Sequence, residues 1–414
     1  MALLAQPSPA RALDDVLSLG DFSLDVNGFL EGRAIMSGKT RSWEDGGLGK
    51  LRYGGTASGE RRYIARVEGA VAIVPKFGFD WSGVMILTAN DQQQQGVDIQ
   101  EAFLQYKPAP SREVGFKARV GAFYPPISLE NNGLAWTSPY TITSSAINSW
   151  VGEELKTIGG EATIYRRTED WEFGLTGAIF GYNDPAGTML AWRGWSFNDR
   201  ETGFFDRLQL AQIRIFRPPS RMSTHAKTEK PFHEIDGRAG VYASIDIKNA
   251  DYGRLTALWY DNKADDRVSE NNEFSWRTKF WSVGYQTDLP GDLDLITQVM
   301  KGSTSLITIA PPRGPVEHNG YWSAFALLSK EWGQNRVSIR GEYFDADDRD
   351  ITATDNNNED GAAFTLAYVY RPTTNQRLTF EFLHVTSRRP ERAFLGQPEK
   401  TNENQAQVSY RFFF

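Results

Sequence analysis

The chain has no cysteine in 414 residues. That excludes a disulfide framework, a thiol nucleophile and a Cys-ligated metal, and it suits an oxidising envelope compartment. Histidine is nearly as scarce. Of His225, His233, His318 and His384, three fall in predicted loops and none stands at the i, i+4 spacing of a helical metal site. His384, on a late strand, reads as a lumen or interface residue. A G-x-S-x-G elbow and a P-loop are both missing. Long hydrophobic runs are missing too: Ala70–Val74 and Val84–Leu87 are the best, far short of the ~18 apolar residues of a membrane-spanning helix. The net charge of −7 argues against nucleic acid as a partner. With no catalytic, metal or cofactor motif, the reading is of a chain that is not an enzyme and carries no cofactor. An outer-membrane lipid or ester hydrolase is the less favoured alternative, because Ser and Asp abound in the loops.

What is abundant is aromatic: 12 Trp, 16 Tyr and 25 Phe, 13% of the chain, beside a mean hydropathy of −0.47. A soluble core has little use for that surplus, whereas a membrane barrel spreads it over two interfacial girdles while alternation dilutes its bulk hydropathy. The alternation is explicit. Tyr63, Ala65, Val67, Val71 and Ile73 share one face, and Arg62, Arg66 and Glu68 the other. Val114, Phe116, Ala118, Val120 and Ala122 oppose Lys117 and Arg119; Val337, Ile339, Gly341 and Tyr343 oppose Arg336, Ser338, Arg340 and Glu342; Leu378, Phe380 and Phe382 oppose Thr379 and Glu381. Charges in mid-strand suit a lipid-facing exterior around a wet lumen rather than a sandwich with two inward apolar faces. A soluble all-β protein is the remaining rival.

The last residues carry the same pattern to the terminus. Val408, Tyr410, Phe412 and Phe414 alternate with Ser409 and Arg411, and a bare strand of that kind invites aggregation unless it pairs with the first strand in a closed barrel. This stretch resembles the C-terminal signature of Gram-negative outer-membrane β-barrels, which implies location in the bacterial outer membrane and recognition of Phe414 by the barrel-assembly machinery. At the other end, Ala10-Arg11-Ala12 is an A-x-A tripeptide of the kind signal peptidase cuts after. Residues 1–12 are therefore expected to be a signal-peptide remnant, with 13–414 a single barrel domain.

Connections divide into short turns (75–78, 108–113, 168–170, 249–253, 289–292, 333–335, 372–376) and long polar loops (37–60, 125–152, 263–273, 302–320, 345–360, 388–402). Their alternation predicts an all-β, antiparallel, up-and-down transmembrane barrel of 16–18 strands with short periplasmic turns and long extracellular loops. Parity slips between Gly181 and Asp236. Reading Gly187–Phe197 as a strand restores it, which slightly favours 18. The acidic runs Asp345–Asp350 and Asp355–Asp360 lack the pattern of an EF-hand loop and read as solvated outer loop, near outer-membrane lipid and lipopolysaccharide.

Loop 125–152 holds Ile127, Leu129, Leu134, Trp136, Tyr140, Ile142 and Trp150, too apolar for a loop in water. It packs either inward, narrowing the lumen, or on a neighbouring subunit; inward is favoured. Just before it, Val120-Gly121-Ala122-Phe123-Tyr124-Pro125-Pro126-Ile127-Ser128-Leu129-Glu130 resembles a stretch of the phosphate-selective porin O and P family. That resemblance implies a sixteen-stranded homotrimeric barrel passing anions. Its phosphate specificity does not carry over, because the lumen charges here alternate in sign. Candidate pore-lining residues are Arg66, Lys117, Arg119, Arg277, Lys279 and Arg340, facing Glu68, Glu101, Glu342 and Glu381, with Glu130 at the constriction. They act either as crossed fields on a dipolar solute or as ion pairs that stiffen the wall. The expected function is a porin, a passive diffusion channel for small hydrophilic solutes or ions; the alternative is a barrel plugged by its own loops, with Gly187–Phe197 as the plug.

Overall fold

The computed structural model describes residues 22–111, 113–308, 314–350, 352 and 355–414; the signal-peptide expectation for residues 1–12 lies outside them. Sixteen antiparallel strands close into one barrel. In chain order they are β1 Phe22–Met36, β2 Tyr63–Phe77, β3 Trp81–Asn90, β4 Asp98–Tyr106, β5 Val114–Phe123, β6 Thr157–Arg167, β7 Trp171–Gly181 and β8 Gly240–Asn249. The remaining eight are β9 Gly253–Asp261, β10 Arg277–Leu289, β11 Leu293–Thr308, β12 Gly314–Trp332, β13 Asn335–Asp348, β14 Glu359–Thr373, β15 Gln376–Arg388 and β16 Lys400–Phe413. Each strand pairs with its sequence neighbours, and β16 returns to β1 with Arg411 opposite Glu31 and Ser409 opposite Arg33.

Closure reaches the last residue. Gly28 N–H donates to the Phe414 carbonyl at 2.9 Å, and Phe414 N–H to the Gly28 carbonyl at 3.0 Å. A Cβ on Gly28 would lie 2.4 Å from the Phe414 ring, so the terminal aromatic seats only over glycine. The seam leaves no free strand edge between β16 and β1, which removes the aggregation liability.

Period two sorts the side chains as a membrane barrel requires. Leu30, Val67, Val120, Ile164, Leu175 and Ile179 point outward and are exposed. Aromatics gather toward both ends of that outer face. Trp171 stacks near Phe173 and Tyr252, and Trp81 meets Tyr106, toward the short-turn end; Trp259 lies opposite Trp281 toward the other, where Trp322 meets Tyr343. No helix among the described residues is long and apolar enough to cross a membrane, and the strands do the crossing.

Three expectations are corrected. The strand count is sixteen rather than eighteen. Gly187–Phe197 is not a strand: Thr188–Trp192 is a short helix, and Met189, Leu190, Ala191, Trp192, Trp195 and Phe197 are all buried. A segment buried all round has no face to give to lipid, so its aromatics reflect interior packing rather than strand alternation. The expected loop 302–320 is mostly strand, since β11 runs to Thr308 and β12 begins at Gly314. Its Gly and Pro residues mimic a loop, yet the ladder continues through a register shift at Leu306/Ile307.

Candidate functional site

Among the described residues, buried polar and charged side chains concentrate in the lumen, where two inserted segments pack. The first is residues 124–156, which contain helix α1 (Ala146–Glu154), every residue of which is buried. Its N-cap Ser145 accepts from the Asn148 N–H at 3.3 Å. The second is residues 182–239, which contain α2 (Thr188–Trp192). Loop 37–62 joins them through Trp43, Leu48 and Leu51, all buried.

Polar contacts tie the first segment to walls five to seven strands apart around the barrel. On one side Gln100 of β4 donates to the Ala135 carbonyl at 3.1 Å, and Glu101 accepts the Tyr124 N–H at 3.0 Å. On the other, Glu381 of β15 accepts the Ile142 and Thr143 N–H groups at 2.6 and 3.0 Å, Glu342 of β13 accepts the Ala146 N–H at 2.9 Å, and Gln298 of β11 donates to the Ile127 carbonyl at 3.1 Å. These carboxylates and amides satisfy the backbone groups of an irregular segment that has no ladder of its own.

Arg340 is the hub. Fully buried, it donates to Glu342 at 2.5 Å, to Glu130, to the Thr143 and Ser144 carbonyls at 2.9 and 3.0 Å, and to the Thr141 and Thr365 hydroxyls at 3.2 and 3.3 Å. A guanidinium that uses its whole fork in this way is tolerated in the interior and specifies one geometry. Glu130 also accepts from Ser145 N–H at 3.1 Å and Asn148 Nδ2 at 2.9 Å, which fixes the start of α1.

Apolar packing closes what remains. The Trp150 ring meets Tyr321 of β12 at 5.4 Å, Phe280 of β10 at 5.5 Å and Trp195 of the second segment at 6.2 Å, all edge-to-face. Its indole N–H donates to Glu154 at 2.5 Å, and Glu154 also accepts the Met189 N–H at 3.0 Å, so α1 is stapled to the first turn of α2. Burial pushes the Glu154 carboxyl up to about 7. The neighbouring Lys156 is buried against the Tyr124, Phe204 and Phe232 rings and donates to the Thr202 carbonyl at 2.6 Å; burial brings its ammonium down to about 7.

Of the residues singled out in the sequence, the structure brings Glu130, Arg340, Glu342 and Glu381 together around the inserted loop. Arg119 forms a bidentate pair with Glu161 at 2.9 Å and donates to the Tyr124 carbonyl at 3.0 Å, close to Glu101 and to the half-buried Lys117. Glu68 lies 3.2 Å from Arg52 and 3.7 Å from Arg33, and Arg66 pairs with Asp91 at 2.8 Å. Arg277 and Lys279 stand elsewhere. They share the outward parity of Trp281, and Arg277 pairs with Asp261 at 2.8 Å on the outer face. Odd and even positions of β10 differ only by face, and the sequence shows no preference there because Thr278, not a charge, points inward.

Sequence reasoning missed Glu31 and Arg33, bonded at 2.7 Å, with Arg33 also 2.7 Å from Asp199. Their i, i+2 spacing repeats that of Arg66/Glu68 and Arg340/Glu342, and that signal was available. It also missed the buried cluster where Lys50 meets Glu359, Arg193 holds Glu153 bidentately at 2.8 and 2.6 Å, and Arg389 lies 3.3 Å from Glu359. No sequence pattern links those residues, because four loops and a strand end supply them.

No family model matches the chain, and no curated protein matches it. Solved structures do. The outer membrane channel DcaP of Acinetobacter baumannii superposes with a TM-score of 0.57 at 10% identity, covering 95% of this chain and 97% of that one. An anion-selective porin from Comamonas acidovorans gives 0.52 at 10%, over 95% and 100%. A loop L8 deletion mutant of OmpT, an outer membrane protein of Vibrio cholerae, gives 0.52 at 8%, over 95% and 100%. The fold is that of bacterial outer-membrane barrels. The expectation that the chain is not an enzyme is withdrawn: the barrel is shared with OmpT as well as with channels, so the fold leaves enzyme status open.

Proposed function

We propose that the chain is a gated outer-membrane porin, a channel for small hydrophilic solutes or ions that the two inserted segments hold shut in this conformation. One observation carries the reading. The inward face of the wall carries charge on β1, β2, β4, β5 and β13 to β16 (Arg33, Glu68, Glu101, Arg119, Arg340, Arg371, Glu381 and Arg411), as in a barrel that encloses water, beside an apolar stretch on β10 to β12 (Phe280, Ile296 and Phe325), and the segments filling it are held by hydrogen bonds and packing that can be released. Short turns face the periplasm and long loops the outside in this reading. Arg66, Glu68, Glu101, Lys117 and Arg119 line the side from which the plug withdraws, and Glu130, Arg340, Glu342 and Glu381 form the latch. The Val120–Glu130 stretch supports kinship with the phosphate-selective porin O and P family, and with it a homotrimer, which cross-linking in membranes tests.

Planar-bilayer recording on purified protein tests the channel. Conductance steps in potassium chloride, rare in the intact chain and frequent once the latch is weakened by Glu381→Gln, are the expected result. A bilayer that stays silent with both proteins removes the idea. The sealed aromatic packing around Trp150 favours one rival, a permanently plugged structural or interaction barrel. Liposomes carrying that rival do not swell in small sugars even with the latch weakened.

A further inference from the structure

Four arginines line the short-turn end of the lumen on consecutive strands: Arg336 of β13, Arg371 of β14, Arg377 of β15 and Arg411 of β16. All have inward parity. Arg377 and Arg411 are direct cross-strand partners. Three of the four have carboxylates. Arg336 lies 3.0 Å from Asp294 and contacts Glu331, Arg371 lies 3.0 Å from Glu331, and Arg411 donates to Glu31 at 2.5 Å. Each shared acid is already committed, Glu331 to Arg336 and Arg371, Glu31 to Arg33 and Arg411.

Arg377 is the exception. It is 8% exposed, and its one hydrogen bond among the described residues runs from Nη1 to the Ser138 carbonyl at 3.3 Å. Its Nε has no partner. Arg411, Arg371 and Arg33 crowd it, and the acid beside them, Glu31, is already held by Arg33 and Arg411. Two residues on, with the same parity, the buried Thr379 hydroxyl also has no partner. A buried guanidinium beside three others and without a countercharge is unstable unless an anion completes it. Two orphaned donors next to one another, in an arc of arginines, describe what such an anion must be.

We propose that Arg377 and Thr379, flanked by Arg371 and Arg411, form a binding site for a small oxyanion, a carboxylate or phosphate group gripped by the guanidinium fork and the hydroxyl. The site lies on the wall near the short turns and does not depend on conduction. It binds whether or not the barrel opens.

The test is thermal unfolding and titration calorimetry of the full chain in detergent micelles, with inorganic phosphate or acetate added at constant ionic strength against chloride. Phosphate or acetate is expected to raise the unfolding midpoint saturably. Arg377→Met should abolish the rise and weaken binding at least about tenfold, and Thr379→Val should weaken it about threefold. In chloride alone, Arg377→Met should unfold at or above the midpoint of the parent chain, because it removes an uncompensated buried charge; a purely structural arginine would show the opposite. Equal anion-dependent shifts in parent and both variants, or no shift in the parent with either anion, overturn the proposal. If Arg377→Met does not form a heat-modifiable barrel, Thr379→Val carries the same comparison.

Discussion

Replacing Trp150 with alanine should open the barrel without unfolding it. The indole is fully buried and contacts two wall strands through Phe280 and Tyr321 and the second inserted segment through Trp195. Removing such a ring from a packed interior costs about 3–5 kcal/mol, and here the loss falls on the plug alone, because no ladder hydrogen bond of the wall involves α1. The substitution also strips Glu154 of its indole donor. A loss of about 4 kcal/mol moves a closed-to-open ratio by roughly a thousandfold. Single-channel recording reads this as a rise in the open fraction, while heat-modifiable migration on gels reports that the barrel still forms. If the variant folds and its open fraction rises less than tenfold, Trp150 does not hold the lumen shut, and the assignment of the seal to aromatic packing fails.

Two further outcomes follow from local geometry and charge. Gly121 has a φ of +132, and a Cβ there would lie 2.3 Å from the Ala102 carbonyl oxygen, so Gly121→Ala should destabilise the β4–β5 pairing by about 1–3 kcal/mol; an unchanged denaturant midpoint in micelles would contradict this. Glu154, pushed up to about 7 by burial, prefers its protonated form in the closed plug. The sign is set by that: the plug is most stable below the unfolded value near 4.5, and it loses up to about 3 kcal/mol as pH rises toward 7. The open fraction should therefore grow between pH 5 and pH 7.5, and Glu154→Gln should flatten the profile. A parent chain whose opening is constant over that range would show that Glu154 does not report on the plug.

Much of the barrel was legible because its cause is periodic. Outward Val67 and inward Glu68, or outward Val408 and inward Ser409, announce their faces by position alone, and the terminal aromatics announce a strand that must find the first one. Gly187–Phe197 was misread for the converse reason. A helix buried on every side has no polar face, so its Met, Leu and Trp residues resemble a lipid-facing strand until their neighbours are known. Arg277 and Lys279 failed similarly, since a charge at the end of a strand beyond the apolar band is as acceptable outside as inside. The latch was half visible: Arg340 and Glu342 stood out at i, i+2 spacing, but their partner Glu130 is some two hundred residues away.

The order of side chains along the chain was enough to determine a closed, lipid-facing barrel, because period two and the cost of an unpaired edge are properties of each strand and its neighbour. Only the tertiary structure decided that the interior is filled, which wall residues grip the inserted loop, and that Arg377 is left without a carboxylate. Those outcomes depend on groups distant in sequence competing for the same few hydrogen bonds and countercharges, and such competition is settled by where the folded chain places them.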